Sequence, residues 1–318
     1  MTTSLKPQPL VTIVTPSYNQ GLFLEATIQS VLHQDYPAIE YLVVDGGSSD
    51  NSVEIIKKYS DRIYWWVSEK DAGQSDAINK GLRRARGEIV GWLNSDDTYE
   101  LGAVSAAVEI FRSNPTAGLV YGDARSIDAQ GRQFNLMRAR QYDLLDLLSF
   151  EIICQPASFM SRSVLEQVNF LDPGYHLLMD HLLWIQMAQK APIVYSPQVW
   201  ASARYHAEAK NRTRGAAYGR EARVLIDDLR TRSEFSQIIQ ESASMVEAGV
   251  HRFDAFYLTD AGDYSQALKA YLRAFGLHPR TLMKDWKHAI LAFVSWLGFP
   301  GVRTWYEQWR TRRYSGGE

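Results

Sequence analysis

The chain has 318 residues, 34 Lys and Arg against 36 Asp and Glu, a formal net charge of −2, and 46% hydrophobic and 22% charged residues. These values belong to an ordinary folded protein and exclude a disordered chain, a collagen-like repeat and a strongly basic nucleic-acid binder; at roughly 150 residues per domain they leave room for about two domains. The single cysteine, Cys154, excludes an intramolecular disulfide framework and a Cys-rich zinc site, and fits a reducing compartment.

Met1–Pro9 lacks an apolar core of signal-peptide length, and no apolar run reaches the ~18 residues of a membrane span, so neither feature is expected. The next 110 residues alternate. Short β-rich runs occupy Leu10–Thr15, Ile39–Val44, Ile63–Val67, Glu88–Leu93 and Gly118–Tyr121. Between them, Leu22, Ala26, Ile28, Val31 and Leu32 fall at helical spacing, as do Val53, Ile55, Ile56 and Tyr59, and then Ala77, Ile78, Leu82 and Ala85. Strands alternating with helices predict βαβ crossovers and an α/β fold with a mainly parallel sheet covered by helices on both faces.

Ligands of such sheets bind beyond the carboxyl ends of the strands. Here those ends carry Thr15-Pro-Ser-Tyr-Asn19, Asp45-Gly-Gly-Ser-Ser-Asp50, Glu69-Lys-Asp-Ala-Gly73 and Asn94-Ser-Asp-Asp97. Asp50 or Asp97 would also suit a helix cap. Four successive loops of this character on one edge go beyond ordinary turn preference.

Residues 122–205 are less regular, with helical patterns at Ser163–Val168 and Asp180–Gln189 and a strand at Ile193–Trp200 interrupted by Pro197. From Gly219 the chain reads as helical. Small and apolar residues over Phe253–Leu277, closed by Pro279, resemble one tetratricopeptide-type helix pair; a single unit cannot form a solenoid, so a hairpin packed on the main domain is the expectation. Residues 278–314 hold Arg280, Lys284, Lys287, Arg303, Arg310, Arg312 and Arg313 against Asp285 and Glu307, with four tryptophans. Basic and aromatic residues around the short apolar run Ala289–Phe299 fit a segment lying on an anionic membrane surface, or else a terminal helix docked on the core.

Asp45, Asp71, Asp76, Asp96 and Asp97 would make an anionic cleft that accepts a phosphate only with a divalent cation between them. Adjacent Asp96 and Asp97 suit Mg²⁺ or Mn²⁺, and Lys80 or Lys70 could add fixed positive charge. The dinucleotide fingerprint, the P-loop, the nucleophile elbow and the H-E-x-x-H zinc motif are absent, and the seven histidines are scattered.

The run Val11-Thr-Ile-Val-Thr-Pro-Ser-Tyr-Asn19 resembles the opening of the family 2 glycosyltransferases. So do Tyr41-Leu-Val-Val-Asp-Gly-Gly-Ser-Ser-Asp50, Gly73-Gln-Ser-Asp-Ala-Ile-Asn-Lys-Gly81 and Gly91-Trp-Leu-Asn-Ser-Asp-Asp97, in the family's order. Met179-Asp-His-Leu-Leu-Trp184 resembles the later motif that supplies a catalytic carboxylate, and Arg204-Tyr-His206 the basic segment after it. The resemblance covers about residues 10–210 and implies a GT-A fold over 1–215, followed by a helical extension over 216–318. It implies an inverting, metal-dependent transferase that moves one sugar from a UDP-, GDP- or dTDP-linked donor to a glycan or lipid-linked hydroxyl in bacterial polysaccharide biosynthesis.

The same resemblance implies residue roles. Pro16, Tyr18 and Asn19 would shape the nucleotide pocket, Asp45 would hydrogen-bond the base, and Asp71 and Lys80 would flank the nucleotide or its sugar. Asn94-Ser95-Asp96 corresponds to the D-x-D motif, with Asp96 on Mn²⁺ or Mg²⁺ and Asp97 near the donor sugar. Asp180 would be the general base and His206 a further metal or diphosphate contact. Gly46, Asn94 and Met179 stand where many members have acidic residues. The implied location is cytoplasmic, peripheral on the inner face of the membrane through residues 280–314. The alternative is a catalytically impaired nucleotide-sugar-binding or assembly subunit of a polysaccharide-synthesis complex.

Overall fold

The computed structural model describes residues 8–206, 215–299 and 301–302. The first half runs β1 (Val11–Ser17), α1 (Leu24–Leu32), β2 (Ile39–Asp45), α2 (Ser52–Lys58), β3 (Trp65–Ser68), α3 (Gln74–Arg84), β4 (Ile89–Trp92), β5 (Thr98–Tyr99) and α4 (Ala103–Ser113). Next come β6 (Leu119–Asp128), β7 (Gln133–Met137), α5 (Leu144–Leu148), β8 (Ser158–Ser161), α6 (Arg162–Gln167), α7 (Met179–Lys190) and β9 (Ile193–Tyr205). The helical part is α8 (Gly215–Thr231), α9 (Ser233–Glu241), α10 (Ala243–Asp260), α11 (Tyr264–Leu277), α12 (Pro279–Leu282) and α13 (Trp286–Trp296).

The strands form one sheet in the order β3-β2-β1-β4-β8-β6-β9-β5, with β7 beside β6. Period-2 alternation divides the apolar strand residues between two cores. Val14, Leu42 and Val44 pack with Ile78 and Leu82 of α3 and Leu182 and Trp184 of α7. Ile13, Val43 and Ile89 pack on the opposite face with Leu24 and Ile28 of α1 and Val104 and Val108 of α4. Helix α3 lies very close to β1: a Cβ on Gly81 would sit 2.3 Å from Val14 Cγ1. This half is parallel as expected, and register sets Ser17 opposite Asp45 and Asp45 opposite Ser68, so three strand ends finish level.

The second half differs from the periodicity reading. β8 pairs antiparallel with both β4 and β6, β7 with β6, and β5 with β9, whereas β6 and β9 are parallel. β6 is ten residues long, because Gly122–Asp128 finds partners in β7 and β9 that its polar composition conceals. β9 passes Pro197 and ends at Tyr205. Its register with β6 shifts between Tyr121 and Ala124, a bulge that leaves the missing proline N–H outside the ladder.

The expected helical hairpin is present as α10 and α11, joined through Gly262 at φ +83° and capped by Asp263, whose side chain accepts from the Gln266 amide. Ala255, Ala267, Ala270, Tyr271 and Ala292 form its own small core. Helices α8 and α9 and the first half of α10 instead contribute Ala222, Leu225, Ile226, Phe235, Val246 and Val250 to the core beneath the sheet. The expected boundary at 215/216 therefore falls at the start of a helix whose apolar face is shared with the sheet. Gly249 of α10 approaches the Ser149 carbonyl so closely that a Cβ would lie 2.3 Å from it. Beside it, buried Arg252 donates to the Phe150 carbonyl at 2.8 Å and pairs with Asp285 at 2.8 Å.

Candidate active site

The level strand ends build a continuous polar arc. At its outer end, Asn19 (φ +51°) donates its amide to Ser48 Oγ at 2.8 Å and accepts from the Ser49 amide at 2.8 Å, tying the β1 and β2 loops together. Tyr18 beside it is 62% exposed, whereas Pro16 is buried within β1. Gly46 faces Asp71: a Cβ there would lie 2.5 Å from Asp71 Oδ2, so the missing side chain at 46 leaves room for the carboxylate of the next loop. Asp71 in turn accepts from the Gly73 amide at 2.9 Å. Gln74 at the start of α3 donates to Asn94 Oδ1 at 3.0 Å, and Asn94 donates to Gln155 Oε1 at 3.0 Å.

Beyond Asn94, Asp96 Oδ2 lies 3.1 Å from His206 Nε2. Arg204 donates its backbone amide to Asp97 Oδ1 at 2.8 Å and its Nε to the Asp96 carbonyl at 2.9 Å. Its guanidinium lies over the Phe23 ring, which also packs on His206 at 4.9 Å between centroids. A strand end more than 100 residues away thus brings a cation and an imidazole to the acidic loop. Burial, and next the charge of Asp96, raise the proton affinity of Asp97.

Helix α7, with Asp180 in its first turn, starts next to α3. Met179 Sδ accepts from Ser75 Oγ at 2.9 Å, one residue from the Gln74 that holds Asn94. Cys154 lies in the electrostatic field of both Asp97 and Asp180: burial first, then these two carboxylates, push its thiol pKa up. His181 next to Asp180 is a neutral core group. Burial pulls its pKa down to about 4, and its Nε2 pairs with the Leu147 carbonyl at 2.9 Å.

Residues 12–168 match the family described as Glycosyl transferase family 2. That match spans just under half of the chain, which over this stretch is similar to the family. It is 28% identical over 197 residues to TuaG of Bacillus subtilis, a glycosyltransferase whose name assigns it to teichuronic acid biosynthesis; the match covers 59% of this chain and 75% of TuaG. Several other curated relatives are longer, and the chain spans about a third of their length. Among solved structures it resembles S. aureus TarS 1-349 in complex with UDP-GlcNAc, with a TM-score of 0.59 at 13% identity, covering 82% of this chain and 89% of that one. It also resembles the mannosyltransferase PcManGT of Pyrobaculum calidifontis in complex with GDP-Man and Mn²⁺, with a TM-score of 0.56 at 22% identity, covering 91% and 87%. The fold is of the GT-A type.

Four residues expected at the donor are buried or bonded to other groups of the chain. Asp45 is fully buried; its carboxylate accepts from the Gly47 and Ser48 amides and from the Ser48 and Ser68 hydroxyls at 2.5–3.1 Å. Through these four donors it organises the β2 loop. Asp97 and Ser95 are buried behind Asp96, and Asp97 joins the β4 loop to β9. Lys80 pairs with Glu69 at 2.6 Å, and this contact, with Asp76 and Asp71 nearby, raises its pKa. Arg204 is the cation that does reach the Asp96 loop; its signal was adjacency to His206 in the Arg-Tyr-His run. Gln74, inside the Gly73–Gly81 run, and Gln155, which had no sequence signal, orient Asn94.

The donor set fits a hard divalent ion. Asp96 and His206 bring one oxygen and one nitrogen to 3.1 Å of each other beside a second, buried carboxylate, Asp97, whose proton affinity is raised by burial first and the Asp96 charge next. No cluster of three or more His, Cys, Asp or Glu occurs among the described residues. Mg²⁺ and Mn²⁺ commonly take one or two protein ligands and complete their shell with substrate phosphates and water.

Proposed function

We propose that the protein is an inverting glycosyltransferase that moves one sugar from a nucleoside-diphosphate donor to a hydroxyl of a glycan or lipid-linked acceptor. The observation that supports this reading is the contact of Met179 Sδ with Ser75 Oγ at 2.9 Å, which sets the start of α7, and with it Asp180 in the first turn, beside the Gln74 that bonds Asn94 of the Asn94–Asp97 loop, where Asp96 meets His206. Asp96 and His206 would hold Mn²⁺ or Mg²⁺. The ion's contribution would be to offset charge on the departing diphosphate. Arg204 lies beside the same loop to add fixed positive charge, while Tyr18, Asn19 and Asp71 border the nucleoside and sugar. Asp180 would take the proton of the acceptor hydroxyl, a poor nucleophile until a carboxylate receives that proton in the transition state. UDP-GlcNAc and GDP-Man in the structural neighbours support a nucleotide sugar as donor. The name of TuaG supports a polysaccharide acceptor.

A thermal-shift screen of UDP-, GDP- and dTDP-sugars, with and without Mn²⁺, tests the donor reading. A ligand at a hundredfold its Kd stabilises the native state by about 2.7 kcal/mol, so the correct donor should raise Tm by several degrees, more with Mn²⁺. A screen in which no sugar nucleotide moves Tm would overturn it.

The location belongs to the same proposal. No helix among the described residues is long and apolar enough to cross a membrane. Helix α13 docks through His288, Leu291, Ala292 and Ser295, and exposes Trp286, Ile290, Phe293 and Trp296 on its other face. Lys287 lies 5.7 Å from the Trp286 ring. An outward apolar stripe with tryptophans and a basic flank suits the headgroup boundary of an anionic bilayer. Of the expected tail, residues 300 and 303–314 lie outside the described residues. The full chain should cosediment with anionic vesicles at low salt, and Phe293→Asp with Trp296→Asp should release it. Absence of binding by the parent chain removes the membrane reading.

A further inference from the structure

Helix α7 starts at Met179, and the amides at a helix start need acceptors from outside the helix. Leu178 at the N-cap offers no side-chain acceptor. The N-cap amide and the two before it are held from the helical part of the chain: Glu221 Oε1, on α8, receives the backbone amides of His176, Leu177 and Leu178 at 3.0, 2.7 and 2.8 Å. Two turns along α8, Asp228 receives the Tyr175 hydroxyl at 3.0 Å and is itself held by Arg232 at 2.5 Å. Two carboxylates seven residues apart on α8 therefore grip the four-residue approach to α7. Met179 is fixed on the other side by Ser75. Behind the first turn, His181 stacks on Phe150 at 5.0 Å, and Phe150 on Phe253 of α10 at 4.9 Å.

Asp180 is the second residue of this helix. Its direction follows from where the first turn begins and how that turn is rotated, and both are set by the segment Glu221 holds. A single oxygen accepting three successive amides constrains that segment more tightly than one ordinary cap. The negative charge also complements the positive end of the helix.

We propose that Glu221 is a positioning residue for Asp180, so that α8, outside the matched family 2 domain, is a working part of the catalytic site. This rests on the reading of Asp180 as the general base. Removing the acceptor lets the first turn of α7 shift, and a misplacement of about 1 Å costs on the order of a hundredfold in rate. Donor binding, built on the β1, β2 and β4 loops, is not touched by that shift. Such a split between turnover and binding separates positioning from a general loss of structure.

The test uses the full chain, the donor selected by the thermal-shift screen, and release of nucleoside diphosphate with water standing in for the acceptor. Glu221→Ala should lower kcat roughly 10- to 100-fold, with the donor KM and the donor-induced Tm shift within about twofold of the parent. Glu221→Gln keeps an oxygen for the three amides and should retain kcat within about threefold. Should the alanine variant fail to fold, Glu221→Asp, which keeps the charge but shortens the reach by one methylene, should show the same selective loss of kcat. Parental kcat in the alanine variant, or in the aspartate variant where that one carries the test, overturns the proposal. So does an equal loss in the glutamine and alanine variants, which would make the charge and not the acceptor the cause. Asp180→Asn in the same assay separates the two readings: a parental rate there removes the base and the proposal with it, while a slow Asp180→Asn beside a fast Glu221→Ala removes the proposal alone.

Discussion

Asp180→Asn is expected to lower sugar transfer by roughly a hundred- to ten-thousandfold, the range general-base catalysis supplies. The substitution is nearly isosteric. Asp180 Oδ1 accepts from the His181 amide at 2.7 Å, and an asparagine oxygen can do the same, so α7 should keep its first turn. What is lost is the capacity to receive a proton from the acceptor hydroxyl. Nucleotide-sugar binding is proposed to rest on the β1, β2 and β4 loops, and a nearly isosteric change on α7 leaves their hydrogen bonds in place, so the donor-induced Tm shift should persist. Transfer assayed with donor and acceptor, beside that melting shift, decides the matter. A variant that turns over at the parent rate would show that Asp180 does not take the proton.

Asp96→Ala is expected to abolish the Mn²⁺-dependent part of donor binding. The substitution removes the oxygen that faces His206 at 3.1 Å and leaves one imidazole of the two proposed ligands. Changes that merely disturb the partners of a metal ligand cost 10- to 100-fold in affinity, so loss of a ligand itself should weaken Mn²⁺ by roughly tenfold or more. The fold should tolerate it, because Asp97, not Asp96, bonds the β9 backbone through its carboxylate, and Arg204 reads the Asp96 carbonyl, which alanine retains. Titration of Mn²⁺ at fixed donor, followed by Tm or calorimetry, is the measurement. A titration unchanged from the parent would remove Asp96 as a ligand.

The strand ends and their loops were legible because each arises locally. An apolar run such as Val11–Val14 declares a buried strand, and Gly46-Gly47 or Asp96-Asp97 after such a run declares a loop at the sheet's edge. The motif positions carried the family resemblance, and Asp96 meets His206 while Asn94 is held by Gln74 and Gln155. Legibility failed where side chains serve partners distant in sequence. Asp45 carries the same letter in a donor contact as in a loop anchor; only the surrounding Gly47, Ser48 and Ser68 donors reveal the second role. Lys80 read as a free cation until Glu69 was found opposite it.

Periodicity and motif order by themselves determined the βαβ half, the polar edge, the helical C-terminal part and the residues from which a catalytic set would be drawn. Tertiary structure alone decided that β6 runs the full distance to Asp128 against β9, that β9 delivers Arg204 and His206 to the β4 loop, and that Glu221 holds the approach to α7. The reason is the range of the interactions. Strand and helix preferences act over a few neighbours, whereas these contacts join residues 43 to 110 positions apart in the chain. Their partners are chosen by packing of the whole molecule.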